Sequence, residues 1–321
     1  MPLFSPRFHP GHRVQLLQGA QELFPALVRA MDAARTSVLL ETYIFDTTGA
    51  GADIARALAR AAARGVRTQL VVDGVGTGRL PAHWFAHLRS AGVQVRVYAP
   101  LGPLGLLLPG QWRRLHRKLC VVDGTVLFCG GINILDDFHD PHFGALSAPR
   151  FDFAVRTEGA LVAQAQATME QLWWRLQAVH DARHYHLPQA VQALREAGVG
   201  LHMGMGQRTR SRTRAHSAHG LGMRAALLLR DNLRHRSRIE RAYRRAIAMA
   251  REDIIIANAY FLPGGKLRRA LVLAAQRGVR VRLLLQGRYE YFMPHHAVRP
   301  VYHTLLQAGV EIYEYAPSFL H

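Results

Sequence analysis

The order of apolar and polar positions predicts alternating helices and strands, and this order is nearly the same in both halves of the chain. Each half contains three short runs rich in apolar residues, of which the first is almost wholly apolar, separated by stretches with helical spacing. Strands that alternate with helices are typical of an α/β fold with a largely parallel sheet. The repeat is also visible in the residues: Val38–Phe45 is echoed by Ile254–Phe261, Ala63–Leu70 by Gln276–Leu283, Ala91–Val95 by Ala308–Ile312 and Tyr98–Pro100 by Tyr315–Pro317.

A predicted β-hairpin follows the third strand of the first half. Residues Leu115–Val122 alternate and are rich in β-branched types, Asp123-Gly124 is a turn signal, and Val126–Cys129 is a second apolar run. Alternation along the strands would place the side chains of His116, Lys118 and Asn133 on one face. With Gly124 and Thr125 as a two-residue loop, the expected pairs are Val122 with Leu127, Cys120 with Cys129, Lys118 with Gly131 and His116 with Asn133.

Lysine is scarce in this chain, and one of the two lysines lies in this hairpin. Among 41 basic residues only Lys118 and Lys266 are lysines, and an ammonium is a compact point charge that a planar guanidinium does not replace. Gly131 would leave open space beside Lys118. An imidazole, an ammonium and an amide around such a gap predict a phosphate site. In that site His116 attacks phosphorus, while Lys118 and Asn133 stabilise the charged oxygens.

The spacing of the hairpin residues resembles the signature motif of the phospholipase D superfamily. The motif reads His-x-Lys, four residues, Asp, six residues and Gly-Gly-x-Asn, and its members here are His116, Lys118, Asp123, Gly130, Gly131 and Asn133. Asp123 would lie at the turn on the opposite face, where it orients the loop or the other members. The resemblance implies that two motif copies build one active site, in which one histidine forms a phosphohistidine and the other protonates the leaving alcohol. It also implies that no metal is required, so we expect neither a metal nor a cofactor.

The second half reaches only the first residue of a second motif. Leu320-His321 matches Leu115-His116, so His321 is interpreted as the remnant of the second histidine, in a second lobe that is incomplete as in a fragment or truncated product. A terminal His321 should fray, so we expect no measurable transfer by a monomer. Two associated chains could still bring two copies of His116 together as a homodimer. The predicted boundaries are 1–203 for the first lobe, 204–222 for a basic flexible linker and 223–321 for the second lobe.

A larger part of the chain resembles one branch of this superfamily, the bacterial cardiolipin synthases of the B type. The matching segments are Phe151–Arg156, Arg230-Asp231-Asn232, His235-Arg236, Ile239–Tyr243 and Ile255–Gly264. In relatives an acidic residue downstream of the motif bonds a catalytic histidine, which implies an orienting role for Asp152. The alternative for Asp152 is an aspartate at the start of a strand that bonds nearby backbone.

Composition limits the partners of the protein. A length of 321 residues with 49% hydrophobic residues suffices for two α/β lobes, pseudo-symmetric, with mixed, mostly parallel sheets flanked by helices. No apolar run reaches 18 residues and no signal peptide pattern occurs, so we expect a peripheral protein at the cytoplasmic face of the cell membrane. The net charge of +19 favours an anionic phospholipid surface or nucleic acid. Aromatic residues are sparse in the basic segment Arg208–Arg245, which weakens the case for nucleic acid.

Together these features predict a phosphatidyltransferase of the cardiolipin synthase type that joins phosphatidylglycerol molecules through a phosphohistidine. The nucleophile and acid roles of His116 and His321 remain interchangeable. One alternative is a phospholipase D-type phosphodiesterase that cuts nucleic acid, and another is an inactive remnant that binds membranes or nucleic acid.

Three further segments carry weaker signals. Asp73–Gly78 follows a strand and imitates a nucleotide-binding loop, but its glycine fingerprint is incomplete, so an ordinary strand-exit loop is expected. The apolar stretch 101–109 is either a loop that dips into lipid or a covered core loop. The acid and histidine cluster in residues 136–142 favours a polar loop at the rim of the active site, with a metal site as the alternative.

Overall fold

Helices and strands alternate in both halves of the chain, as the apolar pattern predicts. The computed structural model describes residues 6–100, 114–140, 143–183, 187–206, 222–229, 237–259, 261–288 and 302–321. In chain order the elements are β1 (His9–Gln18), α1 (Gly19–Ala33), β2 (Ser37–Thr42), α2 (Gly51–Ala63), β3 (Arg67–Asp73), α3 (Ala82–Ser90), β4 (Gln94–Tyr98), β5 (Leu119–Val122), β6 (Val126–Gly130), β7 (His139–Asp140), β8 (Gly144–Ala145), β9 (Phe153–Glu158), α4 (Leu161–Arg183), α5 (Leu187–Gly206), β10 (Met223–Ala225), α6 (Arg238–Met249), β11 (Asp253–Asn258), α7 (Gly265–Gln276), β12 (Arg280–Gln286) and β13 (Glu311–Tyr315).

The chain forms two compact units whose bounds differ from the predicted lobes. The first unit contains residues 9–136 and 153–225, and the second contains residues 137–152 and 226–321 with the N-terminal residues up to Phe8. Strand pairing explains two of the segments that differ. Residues 137–152 join the second unit because Phe151 pairs with Leu320, and β10 joins the first because it pairs antiparallel with β1. Of the predicted linker 204–222, residues 204–206 belong to α5 and residues 207–221 lie outside the described residues.

The first unit is built on a mixed sheet flanked by helices. Its strand order is β10-β1-β9-β6-β5-β2-β3-β4. The pairs β2–β3 and β3–β4 are parallel, and β5 joins β2 antiparallel, so the motif hairpin extends the parallel part of the sheet.

Strand β2 lies in the interior of this unit, and all six of its residues are buried. On one face Val38 and Leu40 belong to a core that includes Leu27 and Met31 of α1. On the other face Val71 of the neighbouring strand packs in a smaller cluster with helix α4. A strand covered on both faces reads as a continuous apolar run, which explains the sequence pattern.

The second unit repeats the parallel part of the first. Strands β11, β12 and β13 form a parallel sheet in that order. Their register matches that of the first unit: Val38 pairs with Thr68 and the echoing Ile254 pairs with Val281. The internal repeat of the sequence is therefore a structural repeat at the level of individual residue pairs.

Membrane-spanning helices are not found in the described part of the chain, where no helix is both long and apolar enough to cross a bilayer.

Candidate active site

The motif hairpin forms, but its register differs by one residue from the predicted one. Val122 pairs with Val126 and Cys120 with Phe128, so the loop contains three residues, Asp123 to Thr125. Asp123 and Gly124 both have positive φ, 51° and 64°, and the N–H of Thr125 donates to the carbonyl of Val122 at 3.0 Å. Thr125 is therefore part of the turn, and the pairing between the two strands begins at Val126. The predicted pairs Val122–Leu127 and Cys120–Cys129 are therefore wrong.

The shifted register also changes the neighbours of the candidate catalytic residues. Lys118 lies across from Gly130 rather than Gly131, and the N–H of Gly130 donates to the carbonyl of Lys118 at 3.3 Å. A Cβ on Gly130 would lie 2.5 Å from the Cα of Ala154. The close approach of β9 therefore explains the glycine at 130, independently of any contact with substrate. Gly131 continues the pairing, since its N–H donates to the carbonyl of Phe153 at 3.0 Å.

His116 and Lys118 are in direct contact. The Nζ atom of Lys118 lies 3.3 Å from both ring nitrogens of His116 and 3.3 Å from its carbonyl oxygen. An atom equally distant from both ring nitrogens does not lie along either lone pair, so the contact with the ring is mainly electrostatic. Lys118 is only 8% exposed, whereas His116 is exposed. A nucleophile candidate reachable from solvent thus lies beside a buried cation.

Tyr43 completes this group and was missed by the sequence reasoning. Its ring centroid lies 5.1 Å from that of His116, and Nζ of Lys118 lies 5.6 Å from the Tyr43 ring centroid. Burial raises the pKa of Tyr43, Asp73 raises it further and Arg114 opposes this, so the phenol stays a neutral donor at ordinary pH. The available signal was its position directly after a parallel strand, at the edge of the sheet where ligands bind.

Asn133 is fixed next to the same segment. Its Oδ1 accepts a hydrogen bond from the backbone N–H of Ile44 at 3.1 Å, and the residue is 7% exposed. This bond orients the amide, which leaves its NH₂ group as the donor toward an anion. Residues 43 and 44 therefore connect Asn133 with His116 and Lys118 at the carboxyl end of β2.

Asp123 lies at the other end of β5 from His116. Seven residues of nearly extended chain separate the two, on the order of 20 Å, so the structure does not place Asp123 among the reacting groups. Its carboxylate accepts hydrogen bonds from the backbone N–H groups of Arg35, Thr36 and Ser37 and from the Thr36 hydroxyl at 2.8–3.2 Å. Burial would raise the pKa of Asp123, but these hydrogen bonds outweigh it and lower the pKa. Asp123 fastens the hairpin turn to the start of β2.

Asp152 and His321 meet within the second unit. The Nδ1 atom of His321 lies 2.9 Å from Oδ2 of Asp152, and the backbone N–H of His321 donates to the carbonyl of Phe151 at 3.1 Å. The expectation that His321 frays is therefore wrong, because both its ring and its backbone are held. A carboxylate that accepts from Nδ1–H leaves Nε2 as the nitrogen available for chemistry.

The acid and histidine cluster after the hairpin has structural partners. Asp140 forms an ion pair with Arg150 and accepts from the N–H of Phe143 at 3.0 Å. Asp136 accepts from the N–H of Ala50 at 3.3 Å, and His142 lies outside the described residues. These contacts account for both carboxylates as parts of ordered loops.

Glu41 is a buried acid beside the motif that periodicity did not single out. It is 1% exposed on β2, and Nη2 of Arg117 lies 2.8 Å from its Oε2 as an ion pair. Neither carboxylate oxygen accepts a well-aligned hydrogen bond from the described residues. Burial raises the pKa of Glu41 from 4.5 to about 7, although Arg117 opposes the shift.

This raised pKa predicts a stability that falls with rising pH. The folded protein binds the Glu41 proton more tightly than the unfolded chain, so the contribution is complete below pH 4.5 and lost as pH rises through about 7. The free energy of unfolding of the native protein, relative to Glu41→Gln, should fall by about 3 kcal/mol between these limits. Urea unfolding at several pH values measures this difference.

A second carboxylate provides the control. Hydrogen bonds from Arg280 and Tyr313 lower the pKa of exposed Glu311 to about 2. Glu311→Gln should therefore show the same decrease in the free energy of unfolding between pH 4.5 and 7 as the native protein. Parallel pH curves for the native protein and Glu41→Gln would contradict the assignment.

Comparison with known proteins places the chain in a class. A family model described as "Cardiolipin synthase, PLD-like domain" matches residues 27–173 and 243–321, which is more than half of the chain. The crystal structure of phosphatidylserine synthase from Haemophilus influenzae Rd KW20 has a TM-score of 0.56 and 12% identity, and covers 99% of this chain and 77% of that one. At this identity the likeness shows the fold alone. Fold and motif together define a phospholipase D-like protein.

Curated relatives narrow the class. The chain is 32% identical to cardiolipin synthase B of Escherichia coli strain K12, over 97% of this chain and 68% of that protein. It is 26% identical to a probable cardiolipin synthase of Bacillus subtilis strain 168, over 96% of this chain and 56% of that protein. The chain belongs to the cardiolipin synthase family of phospholipase D-like phosphatidyltransferases.

Proposed function

We propose that the protein joins two anionic phospholipids, with phosphatidylglycerol as donor and acceptor, through a phosphohistidine on His116. Phospholipid substrates follow from the family. The observation that carries the proposal is the contact of Lys118 Nζ with the His116 ring at 3.3 Å, because it supplies a nucleophile and a charge stabiliser together. Asn133 and Tyr43 add neutral donors next to this pair.

In the first step a ring nitrogen of His116 attacks phosphorus of phosphatidylglycerol. The new P–N bond replaces the P–O bond to the terminal glycerol, and protonated His321 gives its proton to that leaving oxygen. Lys118 stabilises the charge that develops on the equatorial oxygens of phosphorus. The products are phosphatidyl-His116 and free glycerol.

In the second step the terminal hydroxyl of another phosphatidylglycerol attacks the same phosphorus. Neutral His321 takes the hydroxyl proton, the P–N bond breaks, and cardiolipin leaves as His116 is restored. Asp152, 2.9 Å from Nδ1 of His321, fixes the tautomer and stabilises the imidazolium that forms. The scheme requires that His116 and His321 share one site, and this sharing is part of the proposal.

The membrane side of the proposal rests on charge. The net charge of +19 favours an anionic lipid surface. Helix α6 combines several arginines with Tyr243 and Met249, which are 57% and 66% exposed, a composition typical of helices that lie on membranes. We place the protein at the cytoplasmic face as a peripheral protein. The apolar stretch 101–109, for which a lipid contact was considered, lies outside the described residues.

The test uses the purified 321-residue protein with vesicles of phosphatidylglycerol, and mass spectrometry of lipids and glycerol. Because Asp152 and Phe151 hold His321, the absence of transfer expected from fraying is replaced: we expect cardiolipin and glycerol in equal amounts, and none from His116→Asn. Vesicles of phosphatidylcholine alone serve as the lipid control.

The net charge also suits the second candidate function, a nuclease, so plasmid DNA is incubated in parallel. Cut DNA without cardiolipin would replace the proposal by the phosphodiesterase. Neither product would favour the inactive binding remnant. Gel filtration of the active fraction separates a monomer from a homodimer that pairs two copies of His116.

A further inference from the structure

The middle parallel strand of each unit ends on a side chain that holds the backbone next to a candidate histidine. In the first unit, Oδ2 of Asp73 accepts the N–H of Leu115 at 2.7 Å. In the second, Oε1 of Gln286 accepts the N–H of Leu320 at 2.7 Å. Each leucine directly precedes a histidine, His116 or His321.

The two contacts occupy equivalent places in the repeat. Asp73 is the last residue of β3 and pairs with Tyr98, and Gln286 is the last residue of β12 and pairs with Tyr315. The following glycine repeats as well: the N–H of Gly74 donates to the Tyr98 carbonyl at 2.8 Å, and the N–H of Gly287 donates to the Tyr315 carbonyl at 2.9 Å. The residue types differ between the units. In both, however, a side-chain oxygen accepts the N–H of the leucine that precedes the histidine.

We propose that Asp73 and Gln286 are positioning residues that set the places of the two histidines. The inference deepens the proposed function and rests on it for the catalytic part. It assigns a role to two side chains that do not touch the substrate and act through the backbone of the preceding leucine.

The loop that begins at Asp73 supports His116 by a second route. A Cβ on Gly76 would lie 2.7 Å from the Tyr43 ring, and the hydroxyl of Thr77 donates to the Tyr43 carbonyl at 2.9 Å. The Tyr43 ring in turn contacts His116. The loop Asp73–Gly78, expected to be an ordinary strand exit, thus holds both the backbone before His116 and the ring beside it.

Burial, hydrogen bonds and an ion pair hold the side chain of Asp73 in place. It is fully buried, its Oδ1 accepts the N–H groups of Val75 at 2.8 Å and Gly76 at 3.1 Å, and Arg114 lies 3.5 Å away as an ion pair. Replacing it can therefore unfold the unit. Gln286 offers the cleaner substitution, because its Nε2 has no hydrogen-bond partner among the described residues. Gln286→Met has a similar shape and removes only the acceptor for Leu320.

The test combines kinetics with NMR of the full chain labelled with ¹⁵N-histidine. Signals of His321 and His116 are assigned by their loss in His321→Asn and His116→Asn. Gln286→Met should shift or broaden the His321 ring signals and lower kcat by about 10- to 100-fold at unchanged KM, because small misplacement of a reacting group costs that much. Asp73→Asn should move the His116 signals in the same manner.

Two controls separate positioning from general destabilisation. Gln69→Met removes a partly buried side-chain hydrogen bond to Gln94 in the sheet that contains Asp73, and Asp53→Asn changes an exposed ion pair with Arg56. Both should leave the histidine signals and kcat unchanged. A folded Gln286→Met with native His321 signals would overturn the inference. The ring signals are measured without substrate, so they decide it even if the native protein transfers no phosphatidyl group and the proposed function fails.

Discussion

Replacing Lys118 by Arg should lower the rate of phosphatidyl transfer by about 10²–10³, although the positive charge is kept. Lys118 is 8% exposed, and its ammonium lies 3.3 Å from the His116 ring and carbonyl. A guanidinium is larger, and its donors are fixed in one plane. The backbone across from Lys118 has little room to move, because β9 approaches Gly130 so closely that a Cβ there would lie 2.5 Å from the Cα of Ala154. Initial rates of cardiolipin formation measure the effect.

The chain supplies its own control for this substitution. Lys266, the other lysine, is exposed on α7, so Lys266→Arg should leave the rate unchanged. A Lys118→Arg variant with normal turnover would show that only the charge matters, and the scarcity of lysine would then carry no functional meaning.

The rates of the two histidine variants should depend differently on the leaving group of the substrate. A general acid contributes about 10²–10⁴ to the rate when an alcohol leaves, so His321→Asn should lose this factor on phosphatidylglycerol. p-Nitrophenolate leaves a p-nitrophenyl phosphodiester without a proton, so on this substrate His321→Asn should keep most of the rate of the first step, measured as the initial burst of p-nitrophenol. His116→Asn removes the nucleophile and should lose activity on both substrates.

This comparison also assigns the two roles that the repeat leaves interchangeable. If His116→Asn were rescued by the p-nitrophenyl ester and His321→Asn were not, the labels would be exchanged. Asp152→Asn should resemble a weaker form of His321→Asn, because its carboxylate contacts Nδ1 of that ring. Equal losses for both histidine variants on both substrates would contradict separate acid and nucleophile roles.

The sequence predicted those features that depend on local pattern. The α/β repeat follows from apolar periodicity, and its echoing residues pair in the same register in both units, as at Val38 and Ile254. The hairpin was also found, because the alternation before Asp123 and the Asp-Gly turn are both short-range signals. His116, Lys118 and Asn133 were identified through the spacing of a motif.

The remaining features depend on contacts that spacing does not encode. The one-residue register shift arises from the positive φ of Asp123 and from the inclusion of Thr125 in the turn. Glu41 lies in an otherwise apolar run, and its burial follows from helices on both faces of β2. Asp73 and Gln286 share a function but differ in residue type. A search for the internal repeat that compares residue identities therefore does not detect them.

Residues 137–152 also affect the timing of folding during synthesis. Asp152 and its partner His321 are 169 residues apart in the chain. At about 5–20 residues per second, a ribosome needs roughly 8–34 s to cover this interval. During that time the segment has been made, but Leu320 and His321, to which Phe151 and Asp152 bind, have not. Until residues 320 and 321 have been synthesised, Phe151 and Asp152 therefore lack these two partners of the folded protein.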